Sequence, residues 1–130
     1  ILMKPLTGMN KSGNAVKEFC INQGLLLSNV HVIVDDIDLP LGKLRIRPKG
    51  GDGCHKGMES IIYQNRDNNF PRIRFGIAVG SKLRPSEQYV LKDFKKSDQN
   101  LADEMIIRAA DAAELIFEDG LNKAMNKYNA

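Results

Sequence analysis

The sequence has no apolar run close to the roughly 18 residues that a membrane helix requires, so it is not expected to cross a bilayer. Cysteine is scarce. Cys20 and Cys54 are too few for a disulfide framework and lack the close spacing of a metal site, which suits a reducing compartment; a single pairing between them stays open. Charge of one sign is also in short supply. The 19 Lys and Arg against 16 Asp and Glu leave a net charge of only +3, so any surface that attracts polyanions must be a local patch. No internal repeat, low-complexity stretch or targeting segment is visible. A starting Met is missing too. Ile1-Leu2-Met3 reads as a strand already under way, so the chain is expected to be incomplete at its N-terminus.

What remains is an ordinary globular composition, 42% hydrophobic and 27% charged over 130 residues, enough for one domain spanning the whole chain. Lys4-Pro5 closes the first apolar run, because proline has no ladder donor. Ser12 is a candidate N-cap for a helix that carries Ala15, Val16, Phe19 and Cys20 on one face and stops at Gly24. Val30-His31-Val32-Ile33-Val34 is β-branched almost throughout, the pattern of a strand covered on both faces in the middle of a sheet. A polar turn is expected at Asp35-Asp36-Ile37-Asp38-Leu39-Pro40. Lys43-Leu44-Arg45-Ile46-Arg47 then alternates strictly, as a strand does. A glycine-rich loop at residues 50–53, a short helix over 58–63, a strand over 72–79 and turn residues at 80–85 follow. Ser97 opens a helix with Leu101, Met105, Ala109, Ala112, Ala113 and Ile116 at helical spacing, and Gly120 ends it. Residues 121–130 form a further helical turn or fray. The predicted class is α/β, a single domain with a mixed, mostly parallel sheet flanked by helices. It is mixed because Val34 and Lys43 are joined too tightly for a crossover.

Ligands in open α/β sheets sit at the carboxyl ends of strands, where the acidic turn is expected. Three readings of it remain open on local spacing alone: a solvated turn, a divalent-cation site, or a carboxylate that orients a catalytic His. Lys43, Arg45 and Arg47 emerge from one strand face about 7 Å apart, near the spacing of successive phosphates. The plain alternative is an edge strand whose cations discourage aggregation. Lys49, Arg72 and Arg74 add charge if the strands are neighbours. The loop Gly50-Gly51-Asp52-Gly53-Cys54-His55-Lys56-Gly57 has no Lys-Ser/Thr ending before a helix, which argues against a Walker nucleotide site. His31, inside an apolar strand, reads as a packed residue, and His55 in the polar loop is the better functional candidate.

Taken together, these segments resemble the bacterial-type peptidyl-tRNA hydrolase family. The resemblance is carried by Lys4-Pro5-Leu6-Thr7-Gly8-Met9-Asn10-Lys11-Ser12-Gly13 and by Asp35-Asp36-Ile37-Asp38-Leu39-Pro40-Leu41-Gly42-Lys43-Leu44-Arg45. It continues through Gly53-Cys54-His55-Lys56-Gly57-Met58 and Phe70-Pro71-Arg72-Ile73-Arg74-Phe75-Gly76-Ile77. Tyr89-Val90-Leu91 and Asn126-Lys127-Tyr128-Asn129 fit as well. The order and spacing cover the later two-thirds of a family member. The resemblance implies hydrolysis of the ester that joins a peptide to the 3′ ribose of tRNA, with no metal or organic cofactor. It implies that Asp35 orients and charges the catalytic His, and that Asn10 stands beside the scissile ester. Arg45, Arg47 and Arg74 would hold tRNA phosphate, and residues 80–91 would form a mobile lid over the cleft.

Several departures shape those expectations. The family's first strand, its Gly-Asn-Pro-Gly loop and its general-base His all lie upstream of Ile1, and neither His31 nor His55 aligns with that base. The 130-residue chain is therefore expected to be inactive alone. Lys56 stands where the family has an Asn that binds the substrate's 3′ end and helps hold the attacking water, bringing donors but no acceptor. Gly8 replaces an aromatic wall of the peptide site. Peptidyl-tRNA is the expected partner, and a monomer in the cytoplasm is expected, with an organelle as the alternative location. The competing readings are an inactive relative serving as an RNA-binding scaffold, and a metal-dependent phosphotransfer site at the acidic turn.

Overall fold

The computed structural model of the chain describes residues 1–81 and 83–129. They pack as two compact units, Ile1–Val32 with Pro48–Pro71, and Ile33–Arg47 with Arg72–Ala130. The first unit is helical. A 3-10 turn, Met9–Lys11, leads into α1, Ser12–Gln23. Ser12 is the first residue of that helix rather than its cap, because its Oγ donates to the Met9 carbonyl at 2.8 Å and ties the helix to the turn before it. Gly24 ends α1 in the left-handed region at φ 63°, the conformation a helix stop asks of glycine. α2, Lys56–Asn65, begins earlier than Met58 because His55 caps it.

The two helices meet backbone to backbone. Gly13 donates its N–H to Ser60 Oγ at 3.0 Å, and a Cβ on Gly13 would stand 2.0 Å from the Ser60 carbonyl oxygen. Only glycine admits that approach. Val16, Cys20, Met58, Ile61 and Phe70 supply the unit's buried apolar side chains. The segment read as a first strand is not one. Ile1 and Leu2 are 93% and 102% exposed, and a strand exists only through the ladder it joins.

The second unit is built on a three-stranded sheet of order β1-β3-β2, with β1 at Val32–Pro40, β2 at Leu44–Arg47 and β3 at Arg72–Ala78. β1 and β3 run parallel, bonded from Val32 N–H to the Pro71 carbonyl at one end and from Leu41 N–H to the Ala78 carbonyl at the other. β2 pairs antiparallel with β3 in the register Leu44↔Phe75, Arg45↔Arg74, Ile46↔Ile73, Arg47↔Arg72. The sheet is mixed, as expected. Among the described residues it holds one parallel and one antiparallel pairing, and β1 is an outer strand rather than a central one. Ile33 is accordingly 53% exposed.

The acidic run is a second correction. It is strand through Pro40, and the turn comes after it, where Lys43 N–H bonds the Pro40 carbonyl. This turn passes over Gly76, where a Cβ would lie 2.1 Å from the Pro40 carbonyl oxygen. β3 can therefore sit between the two strands that the turn joins.

α4, Gln99–Asp119, places Met105, Ala109, Ala112 and Ile116 against Leu44, Ile46 and Ile73, and its alanines let the helix lie close to the sheet. It starts after Ser97, with Asp98 at the cap position. Gly120 ends it, and residues 121–130 are more than a frayed tail: α5, Leu121–Tyr128, adds Ala124 and Tyr128 to the same core. Asn129 then closes the outer edge of β2. Its Oδ1 accepts the Ile46 N–H at 2.7 Å and its Nδ2 donates to the Ile46 carbonyl at 3.0 Å, replacing a missing ladder partner. Within the expected lid lies α3, Ser86–Val90, and the Tyr89 hydroxyl fastens it by donating to the Ile77 carbonyl at 2.6 Å and accepting the Val79 N–H at 3.0 Å. Lys82 of that stretch, and Ala130 of the expected tail, fall outside the described residues.

Candidate functional site

In the first unit, the residues singled out from the sequence gather where the 3-10 turn meets the start of α2. Gly8 precedes the turn at φ 80°, a left-handed conformation that an aromatic residue would adopt only with strain. A Cβ there would come 3.8 Å from Asn10 Oδ1. Met9 reaches across to α2, since a Cβ on Gly57 would stand 2.7 Å from its Sδ. Gly57 and Met9 thereby set the turn, and Asn10 with it, against the helix start. Lys56 opens α2 with its Nζ 3.0 Å from Glu59 Oε2, an exposed pair of little energetic weight that holds the ammonium near the helix end.

His55, at the end of the polar loop, caps α2: its Nδ1 accepts the N–H groups of Gly57 and Met58 at 3.1 and 3.3 Å. Accepting both requires an unprotonated Nδ1, so the ring in this state carries its proton on Nε2. His31 is half-buried, and that burial holds its imidazole below the ordinary value.

In the second unit, the register places Arg45 opposite Arg74 and Arg47 opposite Arg72. Cross-strand partners share a face and so do residues two apart, so four guanidinium groups leave one side of β2 and β3. Leu44, Ile46 and Ile73 leave the other side and join the core. The alternating sequence of β2 thus divides into a cationic face and an apolar one. Directly opposed like charges repel, and the sheet offsets this with Asp36, whose Oδ2 pairs with Arg74. Asp36 is buried, and its Oδ1 also accepts the Asp38 N–H at 2.8 Å, so it acts within the sheet.

The four arginines are not equivalent. Arg47 is exposed and Arg45 half-buried, while Arg72 is only 2% exposed. Burial, then the neighbouring charge of Arg74, holds the Arg72 guanidinium below its ordinary value. Asp35, the expected orienting carboxylate, is half-buried within β1 rather than placed on a turn. Further along β1, Asp38 meets Arg84 at 3.3 Å. Among the described residues no group of three or more His, Cys, Asp and Glu is placed to hold a metal ion, and no helix is long and apolar enough to cross a membrane.

The sequence reading missed the Asp36–Arg74 pair, the capping role of His55 and the Tyr89 fastening. Only the first left a signal, in opposite charges on two strands; the others depend on backbone geometry that composition does not carry.

Comparison with known proteins agrees with the motifs. The profile of the family described as peptidyl-tRNA hydrolase matches residues 1–130. A peptidyl-tRNA hydrolase of Thermoanaerobacter sp. (strain X514) is 47% identical over 129 residues, covering 99% of this chain and 69% of that protein. One of Desulforudis audaxviator (strain MP104C) is 42% identical over 130 residues, covering 100% of this chain and 65% of that protein. The crystal structure of peptidyl-tRNA hydrolase from Acinetobacter baumannii superposes with a TM-score of 0.86 at 33% identity, covering 97% of this chain and 64% of the other. The chain thus spans about two thirds of the length of the proteins it matches.

Proposed function

Since this chain belongs to the peptidyl-tRNA hydrolase family, we propose that it serves hydrolysis of the ester linking a peptide to the 3′ ribose of tRNA. The observation that carries this reading is the strand register, which puts Arg45 and Arg47 on one face, about 7 Å apart and near the spacing of successive phosphates, with Arg74 opposite Arg45. Phosphate contacts of that kind position an RNA without reading its sequence. Arg47 and Arg45 are the contact residues in this reading. Arg74 contributes through the field it shares with them while Asp36 holds it in place.

The chemistry is an addition to the ester carbonyl. A base removes a proton from water as its oxygen attacks, the carbonyl oxygen becomes an oxyanion, and collapse expels the ribose 3′ oxygen, which takes up a proton. We assign Asp35 to orient the imidazole base and to stabilise its charged form. Asn10 steadies substrate through a neutral amide, Lys56 takes the 3′ end of the RNA, and Gly8 leaves the peptide side of the site open. Neither histidine of this chain suits the role of base, because His55 Nδ1 is committed to α2 and His31 lies half-buried beside β1. The reading therefore puts the base on a segment outside these 130 residues, and the protein is read as a monomer that needs no cofactor.

Two measurements test it. The 130 residues alone should show no turnover of a model peptidyl-tRNA, and robust hydrolysis by them would overturn the assignment of the base. In a protein with turnover, Asp35→Asn should lower kcat by at least about 100-fold, the scale of a positioned base, while leaving tRNA affinity in place. Equal losses in both would sink the orienting role.

A further inference from the structure

A second feature of the first unit has no part in that chemistry. Beyond the close approach of Gly13 and Ser60, one helical turn along each helix brings Lys17 on α1 and Tyr63 on α2, and there the helices leave an open groove of about 830 Å³. Ile62 and Gln64 of α2 line it with them, as does Arg66 just past the helix end. Tyr63 is 77% exposed, which leaves its aromatic side chain open to a ligand.

Arg66 is placed with strain. It occupies the left-handed position that ends α2, at φ 52° and ψ 34°, where glycine is the residue of choice. This guanidinium, kept at a glycine position, lines the same groove as Tyr63 and so lies within reach of a ligand bound there. Strain retained on the surface is a reason to look for a function.

We infer that this groove is a stacking site for an unpaired RNA nucleotide, its base lying on the Tyr63 ring and its phosphate held by Arg66 and Lys17. Aromatic stacking tolerates any base, and cations on either side track the backbone, which is how single strands are held without sequence preference. The half-buried Gln64 amide offers a donor and an acceptor to a base edge. Asp67, the acid of the groove, accepts the Asn69 N–H at 2.9 Å and so turns its carboxylate toward its own loop. The choice of RNA as ligand rests on the function proposed above, whereas the groove and its strained arginine do not.

The test is binding of a fluorescent single-stranded oligoribonucleotide, and separately of tRNA, to the protein and to two variants. Tyr63→Ala should weaken oligonucleotide binding about ten-fold, the loss of one stacked base. Arg66→Gly should weaken it several-fold and lower the salt dependence by close to one phosphate contact. Glycine relieves the left-handed strain, so Arg66→Gly should also raise Tm or leave it unchanged, and reduced binding then cannot come from unfolding. Variants that bind the oligonucleotide as tightly as the parent overturn the groove site and leave the hydrolase reading intact. Groove-dependent binding together with robust peptidyl-tRNA hydrolysis by these 130 residues supports the site and overturns the assignment of the base to a segment outside them. Failure of the parent to bind the oligonucleotide overturns the site.

Discussion

The two units hold their candidate site residues in different ways. In the first, polar groups are set by backbone contact: Gly13 lies on Ser60, Gly57 lies under Met9, and His55 caps the helix that Lys56 opens. Side-chain electrostatics contributes little there, since the Lys56–Glu59 pair is exposed. In the second, four arginines share one sheet face, and buried charge pairing with a well-filled core behind them keeps that face assembled. The first unit is expected to tolerate changes of charge but not of volume at Gly13 and Gly57. The other is sensitive to the removal of a single carboxylate.

That contrast can be broken by experiment. The largest loss is expected from Gly13→Val, whose side chain has no room against the Ser60 carbonyl; urea unfolding should show at least about 3 kcal/mol of destabilisation. Gly51→Ala, with nothing within 4 Å, should stay near the parent and calibrate the comparison. A mild Gly13→Val would mean that the helices can separate without penalty. Next comes Asp36→Asn, which leaves Arg74 opposite Arg45 without its counter-charge. With Arg74 side-chain exposure at 32% softening the effect, about 2 kcal/mol is expected in the same assay. A neutral result would show that water compensates the guanidinium.

Asn129→Ala should cost about 1 kcal/mol, because two hydrogen bonds to the Ile46 backbone are lost at the β2 edge. Thermal melts are enough to see it. The smallest effect is one of pH. Burial holds His31 below its ordinary 6.5, so the unfolded chain takes up this proton before the folded one does. The His31 contribution is complete above pH 6.5 and is lost as pH falls from there through the lower folded value. Comparing melts of the parent with His31→Gln, the variant should lose less stability over that window. Identical slopes would place the imidazole in water.

Much of the architecture is legible along the chain. The alternation of residues 43–47, the helical spacing from Leu101 to Ile116 and the stops at Gly24 and Gly120 are local signals, and the structure keeps them. The acidic run shows where local reading fails. Asp35-Asp36-Ile37-Asp38 has the composition of a turn, yet it is strand, because β3 supplies both the ladder and the arginine that neutralises Asp36. Ile1-Leu2-Met3 fails in the opposite sense, having the composition of a strand and no partner to make it one among the described residues. The candidate site divides along the same line. The basic face follows from period-two spacing, whereas the commitment of His55 to a helix cap does not.

Residue order alone determined where α1 and α4 stop, the split of β2 into cationic and apolar faces, and the motifs that place the chain in its family. These depend on neighbours a few positions apart. Only the folded chain decided which carboxylate is buried, which histidine is occupied and which glycines cannot change. Each of those outcomes depends on a partner tens of residues away or on the position of a backbone atom, and no local spacing encodes either.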